Sequence, residues 1–363
     1  MTNQIREILA ETPIEASAPC RIDMGGTLDL STFYLPLRRY SPCTFNMALG
    51  LKTFVRIEAW EKGGTQVVSK GFEQCRFFLE KAPFDHPLGL MFATANFFEA
   101  DGVRIVIESS SPPRSALGGS SAAAVALIAA FSKAAEMSGG KSRSRKQIAL
   151  LAHALEASVA GVPCGLQDHL SAVFGGIHAW HWPGEFDVSR YRRERIVPSK
   201  CYREVSQHVL VAYCGIPHES RSLNSEWVKQ FLAGRHRKKW IEICSCTQKF
   251  VDAMKDLNYK RAAHYMNKEV ALRRRMTPWV LDAVGKKLTA AAEANDCGAR
   301  FTGAGGGGCI WALGEIENVD TLRGIWEKIL KKRKDAIMLD FRIDHDGVMV
   351  RKTNHLGQSK GTI

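Results

Sequence analysis

The sequence has no apolar run that approaches the ~20 residues of a membrane-spanning helix. Its first residues, MTNQIREILAETPIEA, carry acidic side chains and no apolar block, which argues against a secretory signal. The ten cysteines are scattered, without the CxxC pairs or Cys/His spacings of structural zinc sites. These absences predict a cytoplasmic protein with reduced thiols, no membrane partner and no structural zinc.

Signatures of nucleic-acid binding and of the common phosphate-binding loop are also absent. The chain contains no zinc-finger or RNA-recognition signature and no GxxxxGK(S/T) sequence. The formal net charge of +13 is spread over dispersed clusters such as Arg273–Arg275. Such clusters indicate solvated helix faces, or alternatively the attraction of anionic ligands such as nucleotides or sugar phosphates. We therefore expect no nucleic-acid partner.

The 363 residues are enough for two domains, and 45% hydrophobic with 24% charged residues is an ordinary globular composition. In the first part of the chain, strands are predicted over residues 43–60 and 103–110. An alanine-rich helix is predicted from Ser120 to Met137. Ser144 and Gln147 have capping-box spacing and predict the start of the next helix.

The character of the sequence changes near residue 205, where a new strand follows a charged, irregular stretch. We therefore place domains at 1–205 and 206–363. Helical patterns fill residues 224–295. The tail predicts a strand at 309–313, a helix at 319–334 and a hairpin that turns at Asp346–Gly347. This arrangement favours an α+β fold for the second domain.

A loop of small residues, PPRSALGGSSAAAVALIAA, precedes the alanine-rich helix. The first N–H groups of a helix lack intrahelical partners, and the helix dipole places partial positive charge there. Glycines let the backbone approach an anion closely. A phosphate cradle is therefore one interpretation, and a tight turn into a core helix is the other; the loop alone favours neither. The cradle would consist of Gly118, Gly119, Ser120 and Ser121.

A second glycine cluster favours the phosphate interpretation. The segment FTGAGGGGCIWAL has five glycines among residues 303–308. Each glycine costs roughly 1 kcal/mol against alanine in regular structure, so five indicate more than a turn. A loop that wraps another loop or a ligand at close range needs this freedom.

The segment HALEASVAGVPCGLQDHL places two carboxylates, Glu156 and Asp168, near apolar sequence. Because carboxylates are rarely buried unless they are paired, a metal-binding or proton-transfer role is one hypothesis. The alternative is a helix cap for Asp168 and a surface salt bridge for Glu156. We expect His153 and His169 to be packing or surface residues.

Together these segments resemble the GHMP kinase superfamily, which includes galactokinase, homoserine kinase, mevalonate kinase and phosphomevalonate kinase. PPRSALGGSSAA looks like the second family motif, P-x-x-x-G-L-G-S-S-A-A, and FTGAGGGG matches the third. APCRIDMGGTLDL is similar to the first motif of the sugar-specific branch, as in fucokinases and heptose-7-phosphate kinases. The chain departs from the family in reading L-G-G-S-S, in placing Asp29 one residue early, and in having His169 where glutamine is common.

The resemblance implies an α+β, two-domain GHMP kinase fold: a mixed α/β N-terminal domain that carries the phosphate loop, and a ferredoxin-like C-terminal domain. It also implies an ATP- and Mg²⁺-dependent phosphotransferase that acts on a sugar or sugar phosphate, at the anomeric hydroxyl. The net charge of +13 favours a sugar phosphate over a neutral sugar. The protein would work as a monomer or homodimer with a small-molecule partner. A kinase of the isoprenoid or amino-acid branch and a catalytically silent ligand sensor are the alternatives.

By resemblance, Asp168 is the base or orienting residue for the acceptor hydroxyl, and Arg21 keeps it ionised and neutralises charge. Glu156 would bind Mg²⁺ with Ser120. Two further groups of residues carry implied roles. The ATP phosphates would contact Gly118, Gly119, Ser120, Ser121, Gly303, Gly305 and Gly306, and the acceptor would contact Asp29, Asp23 and Arg221.

Overall fold

The structure, a computed structural model, describes residues 2–161, 163–184, 190–217 and 220–353, except for the side chains of residues 2, 3 and 220–222. The described strands form two sheets. The first contains β1 (Ile14–Met24), β2 (Cys43–Ala59), β3 (Thr65–Ser69), β4 (Cys75–Phe77), β5 (Val103–Ser109), β6 (Ile177–His181), β7 (Arg192–Arg195) and β12 (Met349–Lys352). The second contains β8 (Val209–Tyr213), β9 (Gly298–Phe301), β10 (Cys309–Leu313) and β11 (Ile337–Met338).

Helices surround both sheets. Those of the first part of the chain are α1 (Thr2–Glu11), α2 (Ser31–Tyr34), α3 (Gly89–Phe97), α4 (Gly119–Met137), α5 (Arg145–Ala160), α6 (Gln167–Phe174) and α7 (Tyr202–Gln207). Those of the second part are α8 (Ser220–Leu232), α9 (Arg237–Lys255), α10 (Tyr259–Met276), α11 (Ala283–Glu293) and α12 (Ile316–Leu330).

The first sheet has the order β12-β1-β2-β5-β3-β4. Strand β6 pairs with the N-terminal end of β2, residues 43–47, and β7 pairs with β6. The strands β3 and β5 pair in parallel, whereas the other described pairs in this sheet are antiparallel. Helix α4 packs against β1 and β2 and is buried over most of its length. Its alanines have short side chains, so the helix can approach the sheet closely and hold its N-terminus in a fixed place.

The second sheet is antiparallel with the order β11-β8-β10-β9. Its core includes three fully buried tryptophans, Trp227, Trp240 and Trp326. Helices α10, α11 and α12 contact its strands, and α9 packs along α10. The second sheet and its helices therefore form a second hydrophobic cluster, to which Leu28, Leu30, Phe33 and Leu37 of the first part of the chain also contribute.

Several expectations are confirmed at the level of single elements. The alanine-rich helix runs over Gly119–Met137, and Ser144 and Gln147 form the predicted capping box at the start of α5. Among the described helices, α4 is the one long and apolar enough to cross a membrane, and 72% of its apolar window is buried inside the protein. That burial is the ordinary property of a core helix.

The predicted hairpin at the C-terminal end is wrong. Strand β11 belongs to the second sheet, whereas β12 crosses to the first and pairs with β1. Asp344 fixes the crossing segment, since its backbone bonds Ala48 and Gly176 and its carboxylate lies 2.7 Å from Lys52 Nζ. The strands of residues 206–363 are thus shared between both sheets, and the division at residue 205 stays a proposal.

Candidate active site

Arg21 and Asp23, near the C-terminal end of strand β1, lie on the same face because side chains alternate along a strand. Both are almost completely buried. The backbone N–H of Arg21 donates to Leu117 O at 2.9 Å, which joins β1 to the loop of residues 112–121 that leads into α4, called here the glycine–serine loop. The first motif and the second motif are therefore in direct contact.

Arg21 and Asp168 form a bidentate ion pair. Arg21 Nε donates to Asp168 Oδ1 at 2.7 Å, and Nη2 donates to Oδ2 at 2.6 Å. Arg21 Nη1 donates to Ala116 O at 2.7 Å, so the guanidinium is also bound to the glycine–serine loop. Although burial opposes the charged form, the charges of Asp168 and Asp23 raise the pKa of Arg21 above its usual value. The exposed fractions are 5% for the Arg21 side chain and 22% for Asp168, so Asp168 presents the accessible face of the pair.

The glycine–serine loop lies directly over this pair. Gly118 is left-handed with φ +75° and caps the N-terminus of α4. A side chain at Gly118 would meet Asp168 Oδ2 at 3.4 Å, whereas Gly119 has open space with one atom, Ser111 Oγ, at 3.8 Å. Ser120 is exposed. Free amide groups at a helix N-terminus with room in front of them have the geometry that anion binding needs.

The glycine-rich loop at 303–308 packs against the glycine–serine loop. Cys309 N donates to Ser115 O at 2.9 Å, and a Cβ at Gly308 would lie 2.6 Å from the same oxygen. Gly305 and Gly306 also have positive φ and would collide with Val280 and Leu223, respectively, if they carried a Cβ. Glycine is therefore needed here for close packing, and the loop braces the predicted phosphate cradle.

Glu156 on α5 lies beside the start of α4. Its Oε2 accepts from Ser121 Oγ at 2.7 Å and lies 2.7 Å from His169 Nε2. Burial opposes ionisation, but His169 and the hydroxyls of Ser121 and Ser120 lower the pKa of Glu156 to about 2. An ionised carboxylate beside two serine hydroxyls is a donor set of the kind that Mg²⁺ prefers. The buried serine in direct contact with Glu156 is Ser121, while the predicted partner Ser120 faces solvent.

The two aspartates expected to contact the acceptor have different environments. Asp29 Oδ2 accepts from Gln167 N at 3.0 Å, and a side chain at Gly165 would collide with the Asp29 carboxylate. Burial raises the pKa of Asp29 to about 6, with a further contribution from the Asp168 charge. Asp29 thus lies beside Asp168 at the start of α6, which suits the predicted role.

Asp23 is fully buried, and both of its carboxylate oxygens are already bound. Gly303 N donates to Oδ1 at 2.6 Å, and Arg300 Nη1 donates to Oδ2 at 3.0 Å. This geometry corrects the expectation that Asp23 holds an acceptor hydroxyl. Asp23 instead ties the first motif to the third.

A buried charge network extends from Asp23 into the second part of the chain. Arg300 Nε lies 3.1 Å from Glu269 Oε2, and Arg273 Nε lies 2.8 Å from Glu269 Oε1. Arg273 Nη2 then donates to Gly26 O at 2.6 Å in the loop that leads to Asp29. Arg300, Glu269 and Arg273 are all 0% exposed. Burial opposes the charge of Glu269, but Arg300 and Arg273 lower its pKa.

Sequence reasoning missed this network. The run Arg273–Arg275 was interpreted as a solvated face or an anion attractor, whereas Arg273 is buried between the rings of Trp227 and Trp240, each 4.7 Å away. The sequence contained one indication of this network: Glu269 lies four residues before Arg273, a spacing that places both side chains on the same helix face. The side chain of Arg221 lies outside the described residues, and its predicted role stays a prediction.

Comparisons with known proteins show which families this chain is similar to. Residues 88–176, which include the glycine–serine loop, Glu156 and Asp168, match the GHMP kinases N terminal domain. The chain is 27% identical over 356 residues to a mevalonate kinase of Thermococcus gammatolerans, covering 90% of this chain and 98% of that protein.

Solved structures show the same fold. A putative sugar kinase from Campylobacter jejuni superimposes with a TM-score of 0.69 at 20% identity, covering 95% of this chain and 99% of the other. The Lactococcus lactis galactokinase complexed with galactose gives 0.71 at 16% identity, covering 96% and 98%.

The chain therefore has the mixed α+β fold of GHMP kinases, with a GHMP N-terminal domain. The comparisons support the GHMP kinase superfamily, and the protein is an enzyme of the phosphotransferase class with an alcohol group as acceptor.

The buried network predicts a large loss of stability on substitution of its central carboxylate. Glu269→Ala leaves Arg273 as a buried charge without an ion-pair partner and Arg300 with Asp23 as its remaining partner. Such a loss costs about 3–5 kcal/mol of unfolding free energy. Asp256→Ala is the control, because its bond with Arg261 is exposed and contributes at most about 1 kcal/mol. Chemical denaturation of the three proteins measures both effects. Equal losses in the two variants would show that the network is not a buried brace.

Proposed function

We propose that this protein transfers the γ-phosphoryl group of ATP to a hydroxyl of a sugar or sugar phosphate, with Mg²⁺ and at the anomeric position. The observation that carries the proposal is the Arg21–Asp168 ion pair directly beneath Gly118 at the N-terminus of α4. In this place a partly exposed carboxylate faces the space in front of free helix amides, where phosphate groups are favoured.

Asp168 has the role of orienting the acceptor hydroxyl and accepting its proton. Arg21 holds both carboxylate oxygens, so Asp168 cannot rotate away. The same guanidinium contributes positive charge close to the transferred phosphoryl group. Phosphoryl transfer depends mainly on positioning and electrostatic stabilisation, and this pair supplies both.

The ATP phosphates are assigned to the amides of Gly118 and Gly119 and to the hydroxyl of Ser120, which are the open part of the loop. Glu156 would hold Mg²⁺ with a serine hydroxyl, and Ser120 is the exposed candidate while Ser121 fixes the carboxylate. When bound, Mg²⁺ supplies charge neutralisation of the phosphate oxygens. Gly303, Gly305 and Gly306 support this arrangement as the brace.

Asp29 supports a polyol acceptor. Its carboxylate lies beside Asp168 and accepts hydrogen bonds, which suits sugar hydroxyls. With a pKa raised by burial to about 6, Asp29 is mostly ionised at pH 7, and this charge disfavours a carboxylate acceptor. A phosphorylated sugar needs a cation at its far end. Arg190 is one candidate for this cation, because it and Asp29 are both close enough to Tyr34 to affect its pKa. Burial raises the pKa of Tyr34, with a contribution from the Asp29 charge, and the Arg190 charge lowers it.

Mevalonate is the second candidate acceptor. The relative from Thermococcus gammatolerans is a mevalonate kinase, and it aligns over 90% of this chain. Mevalonate carries a carboxylate, so it would have to bind with that group turned away from Asp29 and toward a cation such as Arg190 or Arg221.

An acceptor panel separates the candidates. ADP formation is measured with ATP and Mg²⁺ for neutral sugars, their terminal phosphates and mevalonate, and phosphorus NMR identifies the phosphorylated hydroxyl. We expect the highest kcat/KM for a sugar or sugar phosphate. Preference for a sugar phosphate would weaken at high salt and in Arg190→Ala or Arg221→Ala, because the attraction is electrostatic. Best turnover with mevalonate would contradict the proposal, and ATP binding without turnover on any acceptor would indicate a silent ligand sensor.

Asp168→Asn tests the proposed catalytic role. The amide keeps the shape of the side chain but cannot take a proton, so turnover should fall by about 10² or more while ATP binding persists. Asp320→Asn on α12 is a matched change at an exposed position away from the site and should leave turnover unchanged. Wild-type turnover in Asp168→Asn would remove Asp168 from the mechanism.

A further inference from the structure

A second kind of ligand set surrounds Glu156. One ligand atom each from Glu156, Cys164 and His169 lies within 4.8 Å of the other two. Glu156 is on α5, His169 is on α6, and Cys164 is in the turn between the helices. Three different elements thus bring a carboxylate, a thiol and an imidazole to one point beneath the start of α4.

His169 is the second observation that points to a ligand. Its side chain is 0% exposed, and neither Nδ1 nor Nε2 has a partner with hydrogen-bond geometry among the described residues. Its Nε2 lies 2.7 Å from Glu156 Oε2, so the ring is directed into the cluster. A buried polar group without a partner costs about 1–3 kcal/mol, so the site gains if the imidazole acquires a ligand.

The turn that carries Cys164 is held from the other side. His153 Nε2 lies at hydrogen-bond distance, 3.0 Å, from Cys164 O, and its ring packs edge-on against His169 with centroids 5.5 Å apart. These contacts fix Cys164 and His169 relative to each other. The cluster is therefore built before any ion arrives.

The donor types decide which ion this cluster selects. Mg²⁺ prefers oxygen ligands, whereas a thiolate with an imidazole and a carboxylate suits Zn²⁺ and Co²⁺. We propose that Glu156, Cys164 and His169 form a binding site for a divalent transition-metal ion of the Zn²⁺ type, which shares Glu156 with the Mg²⁺ site. Binding replaces the proton of the Cys164 thiol, which is released to solvent.

Because both ions draw on the same carboxylate, they compete for Glu156. Occupation by Zn²⁺ withdraws Glu156 from Mg²⁺ and lowers phosphoryl transfer. This consequence rests on the proposed function, whereas binding of the ion itself does not.

The test of binding uses Co²⁺ as a spectroscopic probe on the full chain without nucleotide. A thiolate ligand gives a sulfur-to-cobalt charge-transfer band in the near ultraviolet, and Zn²⁺ should abolish it by displacement. We expect one bound ion per chain, loss of the band in Cys164→Ser, and at least roughly tenfold weaker binding in His169→Gln, since a ligand is lost. Cys201→Ser, which removes another partly buried cysteine, should keep the band.

Circular dichroism and unfolding curves of each variant establish that it is folded. Absence of the charge-transfer band in the wild-type protein, or its persistence in folded Cys164→Ser, overturns the proposal.

A second experiment measures the Zn²⁺ concentration that halves Mg²⁺-dependent activity, relative to each protein's own uninhibited rate. It should rise by about tenfold or more in Cys164→Ser, as expected for a lost ligand. Cobalt binding in a protein that phosphorylates no acceptor would refute only the proposed function, whereas kinase activity without the band would refute only the metal site.

Discussion

The ion pair between Arg21 and Asp168 is the interaction on which the candidate site depends. Through one guanidinium it joins strand β1, the start of helix α6 and the carbonyl of Ala116 in the glycine–serine loop. None of these elements is adjacent in sequence to the others. Their common contact is what places a carboxylate beneath the free amides of α4, and a bidentate arginine pair has the rigidity for this task.

The pair is in turn supported by a second set of buried charges. Asp23, two residues after Arg21, is bound by Arg300, and Arg300 continues through Glu269 to Arg273. Because Arg273 also holds Gly26 O, the second part of the chain fixes the loop that leads to Asp29. Buried ion pairs gain little net stability over apolar packing, so we infer that their value here lies in fixing one arrangement of the two sheets around the site.

Local physical requirements explain which features could be predicted from the sequence. The alanine-rich helix, predicted from Ser120 to Met137, and the capping box at Ser144 follow from neighbouring residues. Both are present, with the helix starting one residue earlier at Gly119. The carboxylates Glu156 and Asp168 stand near apolar sequence, which suggested a metal-binding or proton-transfer role. Both lie beneath the N-terminus of α4, and their roles stay predictions.

Features that depend on distant partners could not be predicted. The carboxylate of Asp23 was assigned to an acceptor because its partner, Arg300, is 277 residues away in the sequence. The charge run at 273–275 gave no sign that Arg273 enters a pocket between two tryptophans. The last strand, β12, was predicted to form a hairpin with the strand before it. It pairs instead with β1, which is much longer than β11. In each case the competing interaction is formed by the fold rather than by the segment itself.

The central claim is that Arg21 and Asp168 act as one catalytic unit. A double-mutant cycle of turnover with Arg21→Gln, Asp168→Asn and the double variant tests it most directly, with folding checked for each protein. Residues that act as a unit are strongly non-additive, so the double variant should be about as slow as the slower single variant. If the two losses multiply instead, Arg21 and Asp168 act independently, and the account of the site as one ion pair is contradicted.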